Sequence, residues 1–239
     1  ELLELFSNIT HECQKCMFSA TMNKKIESFI TQCMIHPVVV NLLNEKIALK
    51  IEHKFQLLLR NRKFEVLKEK LNESLEDQTL IFCNSKFISE RVYKQLKNYV
   101  KEIAWLSGDL EQAEREEVIN RFKCRDVKVL VATDVAARGV DILDLKFIVN
   151  YDLPQSVEIY THRSGRTGRM GKEGNCLTFV EPEELLKAKS ILDKLKFEIH
   201  WVGPTPDFEA EKRKGYAPQK RQQQKSGNSP RFKEKRKYR

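Results

Sequence analysis

The sequence predicts an α/β fold: a parallel sheet covered by helices on both faces. Short, continuously apolar runs such as "LIFC" (80–83) and "VLVA" (129–132) alternate with helical stretches of about 10 to 15 residues. Strands buried on both faces lose the in–out alternation of a half-exposed sheet, so such runs belong to parallel sheets. Polar residues gather where these runs end: Asn84 and Ser85, Ser107 to Asp109, Thr133 and Asp134. Ligands of parallel α/β sheets bind at those carboxyl ends.

The elements follow in order. Residues 13–20 read as a short strand, and Ile26, Phe29, Ile30 and Cys33 take helical spacing after caps at Thr21 or Asn23. "HPVVVNLL" (36–43) reads as a second strand, with Pro37 at its start, where a missing N–H does least harm. A connector over 44–50 leads into the alternating part. Strands are expected at 51–59, 78–85, 103–108, 127–133, 147–152 and 174–181, and helices at 63–75, 86–99, 110–123, 156–165 and 183–195.

With 239 residues and 41% hydrophobic content the chain can bury a core of one or two domains. No apolar run approaches the roughly 18 to 20 residues of a membrane span. The first twenty residues carry Glu1, Glu4 and Glu12 and lack the basic start of a secretory leader. The expectation is an intracellular protein of the cytoplasm, nucleus or nucleolus, without a membrane partner. The chain starts at Glu rather than Met, so a preceding segment is expected.

Six scattered cysteines do not make a disulfide framework. His11, Cys13 and Cys16 lack the second ligand pair of a structural zinc site, so no metal centre is expected.

The charge of +9 is unevenly placed. From Lys212 to Arg239 there are twelve Lys or Arg against one Glu, a net of +11, which leaves the preceding residues at −2. That segment, rich in Gln, Pro and Ser, cannot bury enough surface to offset its ordering entropy and is expected to be a disordered basic tail. Tyr216, Phe232 and Tyr238 among its charges suit stacking on bases while the cations meet phosphates.

"HRSGRTGRM" (162–170) sets Arg163, Arg166 and Arg169 three apart with Gly165 and Gly168 between them. Arg offers a rigid fork of N–H donors that matches phosphate oxygens in pairs, and glycine lets a ligand come close.

Four stretches then align in order: "SAT" (19–21), "LIFCNSK" (80–86), "VLVATDVAARGVD" (129–141) and "YTHRSGRTGRMGKEG" (160–174). As a set they resemble motifs III to VI of the DEAD-box RNA helicases, and "GDLEQAER" (108–115) resembles motif IVa. His162 stands where DEAH-box and RecQ-like relatives usually carry Gln, which favours the DEAD-box branch and an RNA substrate. Ser85 stands where many members have Thr, and Ser107 where His often precedes Gly-Asp.

The resemblance implies two RecA-like domains with ATP in the cleft between them. Residues 1–44 would be a strand–helix–strand piece of the first domain, 45–50 a linker, 51–200 the second domain and 201–239 the tail. No GxxxxGK[ST] and no DEAD tetrapeptide occurs, so the cradle for ATP and Mg²⁺ is expected upstream. Arg166 and Arg169 would reach the γ-phosphate as arginine fingers, with His162 bridging to the opposite domain and Asp141 at the ribose. RNA would lie on Asn84, Ser85, the Gly108 N–H, Arg115 and Thr133, contacted through its backbone without regard to sequence. Ser19, Thr21 and Arg138 would couple nucleotide state to RNA.

A monomer is expected, acting on RNA duplexes or on RNA–protein complexes, of which a pre-ribosome is one example. The alternative is a non-catalytic RNA-binding or adaptor module built from one such domain and the tail. Without its cradle, the chain by itself is expected to be inactive as an ATPase.

Overall fold

Among the described residues seven strands pair in parallel in one sheet. They are β1 (Lys50–Leu57), β2 (Thr79–Cys83), β3 (Ile103–Leu106), β4 (Val129–Thr133), β5 (Phe147–Asn150), β6 (Glu173–Val180) and β7 (His200–Trp201), in spatial order β3-β4-β2-β5-β6-β1-β7. The helices are α1 (Lys24–Cys33), α2 (Lys63–Glu73), α3 (Lys86–Leu96), α4 (Gln112–Lys123), α5 (Asp134–Ala137), α6 (Val157–Ser164) and α7 (Leu185–Leu192). This computed structural model describes residues 4, 6, 8, 13–19, 22, 24–40, 50–73, 77–137, 145–168, 172–195 and 197–210. The chain divides into two units, Glu1–Pro206 and Asp207–Arg239. In the second, Asp207 Oδ1 accepts from the amides of Glu209 and Ala210 at 3.0 Å.

Crossovers between parallel strands are right-handed, so the direction of each step along the sheet selects a face. Steps from β1 to β2 and from β2 to β3 put α2 and α3 on one face. The later steps run the other way and put α4 to α7 on the opposite face. Burial follows this division. Val66, Leu67 and Leu71 of α2 and Val92 and Leu96 of α3 share one core with Ile81, Cys83, Val131 and Val149. The alternate positions Leu80, Phe82, Leu130, Ala132 and Ile148 are buried as well, together with Phe122 of α4, Tyr160 of α6 and Ala188 of α7. Every residue of β2 and β5 is buried, the two-sided cover that continuous apolar runs require.

Two expectations fail at the ends of the first unit. Residues 13–19 and 37–40 form no strand, although α1 lies between them as the periodicity predicts. A strand needs a neighbour to take its N–H and C=O groups, and no ladder is present for either segment. Phe18, Ile35, Val38, Val39 and Val40 are consequently exposed. The sheet also runs to Trp201, whose strand pairs with β1 through Lys54↔His200 and Phe55↔Trp201, so it continues past residue 200.

Candidate functional site

β2 lies between β4 and β5, yet the helix after β2 covers one face while those after β4 and β5 cover the other. The chain therefore parts at the carboxyl ends of these three strands, the usual ligand position in an open parallel sheet. Asn84 and Asp152 sit on the turns there, and Asp134 opens α5.

Arg163 of α6 joins all three. It is 1% exposed, and each of its five N–H donors has an acceptor. Nε and Nη2 donate to the two carboxylate oxygens of Asp134, both at 2.7 Å. Nη2 also donates to Asn84 Oδ1 at 2.8 Å, and Nη1 to Asn150 Oδ1 at 3.2 Å and to the Asp152 carbonyl at 3.1 Å. The guanidinium carbon lies 5.1 Å from the Phe82 ring centroid. Arg163 is thus spent within the fold, and Arg166, half-buried, follows just beyond the end of α6.

His162 and Arg166 line an open cavity of about 60 Å³ together with Phe82, Asp134, Ala137, Ile159 and Arg163. Local sequence explains the placement. Ser156 caps α6 by accepting from the Ile159 amide at 3.3 Å, and the helix register buries Tyr160 and Arg163 while turning His162 outward. Beyond the helix, the Arg166 carbonyl accepts from the Leu145 amide at 3.1 Å, and buried Thr167 donates its hydroxyl to the Leu145 carbonyl. Gly168 turns the chain at φ 68°, where a side chain would be strained and would strike Ile51. A Cβ at Gly174 would overlap Thr167 Oγ1 and lie 2.6 Å from the Gly168 amide nitrogen. These glycines pin the arginine-bearing segment to β6 and β1.

The residues expected to meet RNA lie along the same sheet end. Ser85 is exposed and caps α3, its Oγ accepting from the Ile88 amide at 3.2 Å. Lys86 pairs with Asp109, which brings the start of α3 to the loop after β3. In that loop buried Ser107 accepts from the Asp109 amide at 3.2 Å, and exposed Gly108 has open space on its Cβ side. Arg115 Nη2 donates to the Ala136 carbonyl at 2.6 Å, and Thr133 Oγ1 accepts from the Ala136 amide at 3.4 Å. Asn84 is half-buried, its side chain taken by Arg163 and by the Leu153 carbonyl at 2.8 Å. Ser19 is exposed. Thr21, Arg138, Asp141, Arg169 and the part of the basic tail from 211 to 239 lie outside the described residues.

Sequence reading missed a buried ionic group behind this surface. Lys63, 2% exposed, lies 2.7 Å from Glu181 Oε1 and 3.6 Å from Asp152 Oδ1. Its ammonium also stands 5.5 Å from the Tyr151 ring centroid. Arg60 Nε holds the other Glu181 oxygen at 2.9 Å. Burial works to raise the Glu181 pKa, but Lys63 and Arg60 together hold it below the usual value. Burial, helped by the Asp152 charge, pushes the Tyr151 hydroxyl up to about 12. A lysine that opens a helix reads as surface in sequence. The only hint was "YDLP", a carboxylate directly after an apolar strand.

Deeper under α6, His53 Nδ1 lies 2.7 Å from the Tyr160 hydroxyl, and burial lowers the imidazole to about 4. Burial likewise pushes the Cys176 thiol up to about 12 and the Cys83 thiol well above its ordinary range. These groups stay neutral near pH 7 and do not act as nucleophiles. Among the described residues no three His, Cys, Asp or Glu side chains are grouped to hold a metal. The Arg166 guanidinium and the His162 imidazole side by side on the cavity wall have the donor chemistry of an anion site.

Residues 62–171 match the model of the helicase conserved C-terminal domain. The pre-mRNA-processing ATP-dependent RNA helicase PRP5 of Mycosarcoma maydis is 35% identical over 212 residues, covering 85% of this chain and 18% of that protein. The chain thus spans under a fifth of the length of this curated relative. A DEAD-box protein from Methanococcus jannaschii superposes with a TM-score of 0.60 at 34% identity, over 77% of this chain and 50% of that one. The C-terminal domain of the DEAD-box protein Dbp5 gives 0.60 at 33% identity, over 69% of this chain and 96% of that one. Saccharomyces cerevisiae Dbp5 bound to RNA and ADP BeF3 gives 0.70 at 31% identity, over 82% and 53%.

Proposed function

Because the chain belongs to the DEAD-box RNA helicase family and has its RecA-like fold, we propose that it is the C-terminal part of an ATP-dependent RNA helicase. In this reading the second RecA-like domain is the expected 51–200 extended by the sheet to Lys50 and Trp201, with a linker before it and 1–44 a piece of the first domain. The exposed apolar side chains of 35–40 suit a segment that packs against more of that first domain.

The observation that carries the reading is the division of labour in "HRSGR". Arg163 spends all five donors inside the fold, while His162 and Arg166 line an open cavity at the sheet's switch point. Arg166 and Arg169 are the arginine fingers. They stabilise the charge that spreads over the γ-phosphoryl oxygens as the bond to the leaving oxygen breaks, and His162 reaches to the first domain. Asp141 holds the ribose.

ATP fits this arrangement as an anion brought to the cationic rim. Mg²⁺ is held mainly outside this half, with the phosphates whose charge it neutralises. The ion and the phosphates belong to a P-loop domain upstream. RNA lies backbone-first over Ser85, Gly108, Arg115 and Thr133, with Asn84 beneath, so its sequence is not read. Ser19, Thr21 and Arg138 couple the two ligands. ATP and RNA each favour the closed pair of domains, and each therefore favours the other.

Such a protein works as a monomer inside the cell, on RNA duplexes or RNA–protein complexes. The test compares the complete protein with residues 1–239. The complete protein is expected to hydrolyse ATP with stimulation by RNA and not by DNA, while residues 1–239 alone bind RNA weakly and hydrolyse nothing. Hydrolysis by residues 1–239 would defeat the placement of the nucleotide cradle.

A further inference from the structure

Asp152 stands where the arginine-bearing helix and the RNA-facing turn meet. Its carboxylate divides between two neighbours: Oδ2 accepts from the Asn84 amide at 2.9 Å, and Oδ1 faces the Lys63 ammonium at 3.6 Å. Its backbone carbonyl accepts from Arg163 Nη1 at 3.1 Å. Arg163 closes the triangle by donating to Asn84 Oδ1 at 2.8 Å. The turn Asn84–Ser85, which caps α3 on the proposed RNA face, and α6, which carries His162 and leads to Arg166, are thereby bolted to one residue.

We propose that Asp152, held by Lys63, is a positioning residue that couples the RNA-facing turn after β2 to the arginine-bearing segment of α6. The inference rests on the helicase reading above and adds a residue that touches neither ligand. A movement of the Asn84–Ser85 turn, once RNA lies on it, cannot occur without moving a hydrogen bond to Asp152 or to Arg163. The supports behind the triangle are stiff. Lys63 is anchored by Glu181, which is itself held by Arg60, and Asn150 fixes Arg163 from below while donating to Thr178 Oγ1 at 2.9 Å. Buried charged groups with every partner present hold one geometry, because any displacement leaves a charge unpaired at low dielectric.

Asn in place of Asp152 is the informative change. A carboxylate offers two acceptor oxygens, an amide one. Asp152→Asn must set its NH₂ against either the Asn84 N–H or the Lys63 ammonium, so one bolt is lost while shape is kept. The measurement is the affinity of the complete protein for a non-hydrolysable ATP analogue, with and without saturating single-stranded RNA. The wild type is expected to gain about tenfold or more from RNA. Asp152→Asn should lose most of that gain, and Asp152→Glu should restore part of it.

Leu71→Ala, in the core on the opposite face, is the control for simple destabilisation; it should lower the melting temperature and leave the RNA-induced gain in place. Should Asp152→Asn not accumulate as folded protein, Lys63→Gln carries the test, since it frees Asp152 Oδ1 and should reduce the gain in the same direction. A wild type without any gain would bring down the helicase reading itself. A normal gain in the wild type that persists in Asp152→Asn or Lys63→Gln would overturn the positioning role alone.

Discussion

Arg163 and Asp134 form a two-pronged ion pair, Nε to Oδ1 and Nη2 to Oδ2 at 2.7 Å each, beneath the cavity that His162 and Arg166 line. Two parallel N–H···O bonds fix the planes of both groups as well as their distance. The pair ties the last turn of α6 to the first residue of α5, so two segments that come from different strands share one geometry.

Arg163→Lys is expected to be far from conservative. Lysine has three donors on a flexible stem and no planar fork, so acceptors at Asn84, Asn150 and Asp152 are left without partners. We expect a loss of about 3 kcal/mol or more in denaturant unfolding, in the range found when one partner of a buried pair is removed. Unchanged stability would mean that this network does not hold the domain together.

Gly174→Ala is expected to cost at least as much. The new methyl would overlap Thr167 Oγ1 and crowd the Gly168 amide, neither of which can retreat without pulling β6 from β1 or moving the chain that follows Arg166. The readout is a lowered melting temperature together with a loss of RNA-stimulated ATPase activity in the complete protein. Normal values for both would contradict the packing described here.

Burial holds His53 at about 4, below its unfolded value of 6.5, so the folded state resists protonation. The stability this maintains is fully present above pH 6.5 and is lost as pH falls from 6.5 toward 4, where the unfolded chain takes the proton first. Its size is on the order of 3 kcal/mol. His53→Gln should flatten the pH dependence of unfolding between pH 7 and 4.5. An equally steep slope in the variant would exclude His53 as its source.

The sheet was legible because its strands are buried on both faces, which leaves short unbroken apolar runs between helices of ordinary length. Helix limits differ by a few residues in places, as at Lys86–Leu96 against an expected 86–99. β7 is two residues long and α5 four, too short for any period to register. The N-terminal strands failed because a period describes one segment while a strand needs two. Within "HRSGRTGR" spacing alone does not separate the three arginines, and the family resemblance left Arg163 between an intradomain structural role and a catalytic one. What separates Arg163 is the register of α6, which turns Tyr160 and Arg163 inward and His162 outward. Arg115 reaches the Ala136 carbonyl, a contact across the fold that spacing cannot reveal.

Removal of residues 212–239 from the complete protein takes away a net charge of +11. RNA affinity should fall and its dependence on salt should flatten, because fewer counterions are released on binding. RNA-stimulated turnover at saturating RNA should be retained. A salt slope unchanged by the deletion would remove the tail from the RNA contact.

The central claim is that Arg166 acts on the phosphate in the transition state, from a domain that does not itself cradle the nucleotide. It is tested most directly by RNA-stimulated ATP turnover of Arg166→Ala in the complete protein. The account predicts that kcat falls by about 10³ to 10⁴ while ATP affinity changes little, as when an interaction made only in the transition state is removed. A variant with wild-type kcat and a change confined to apparent ATP affinity would contradict it.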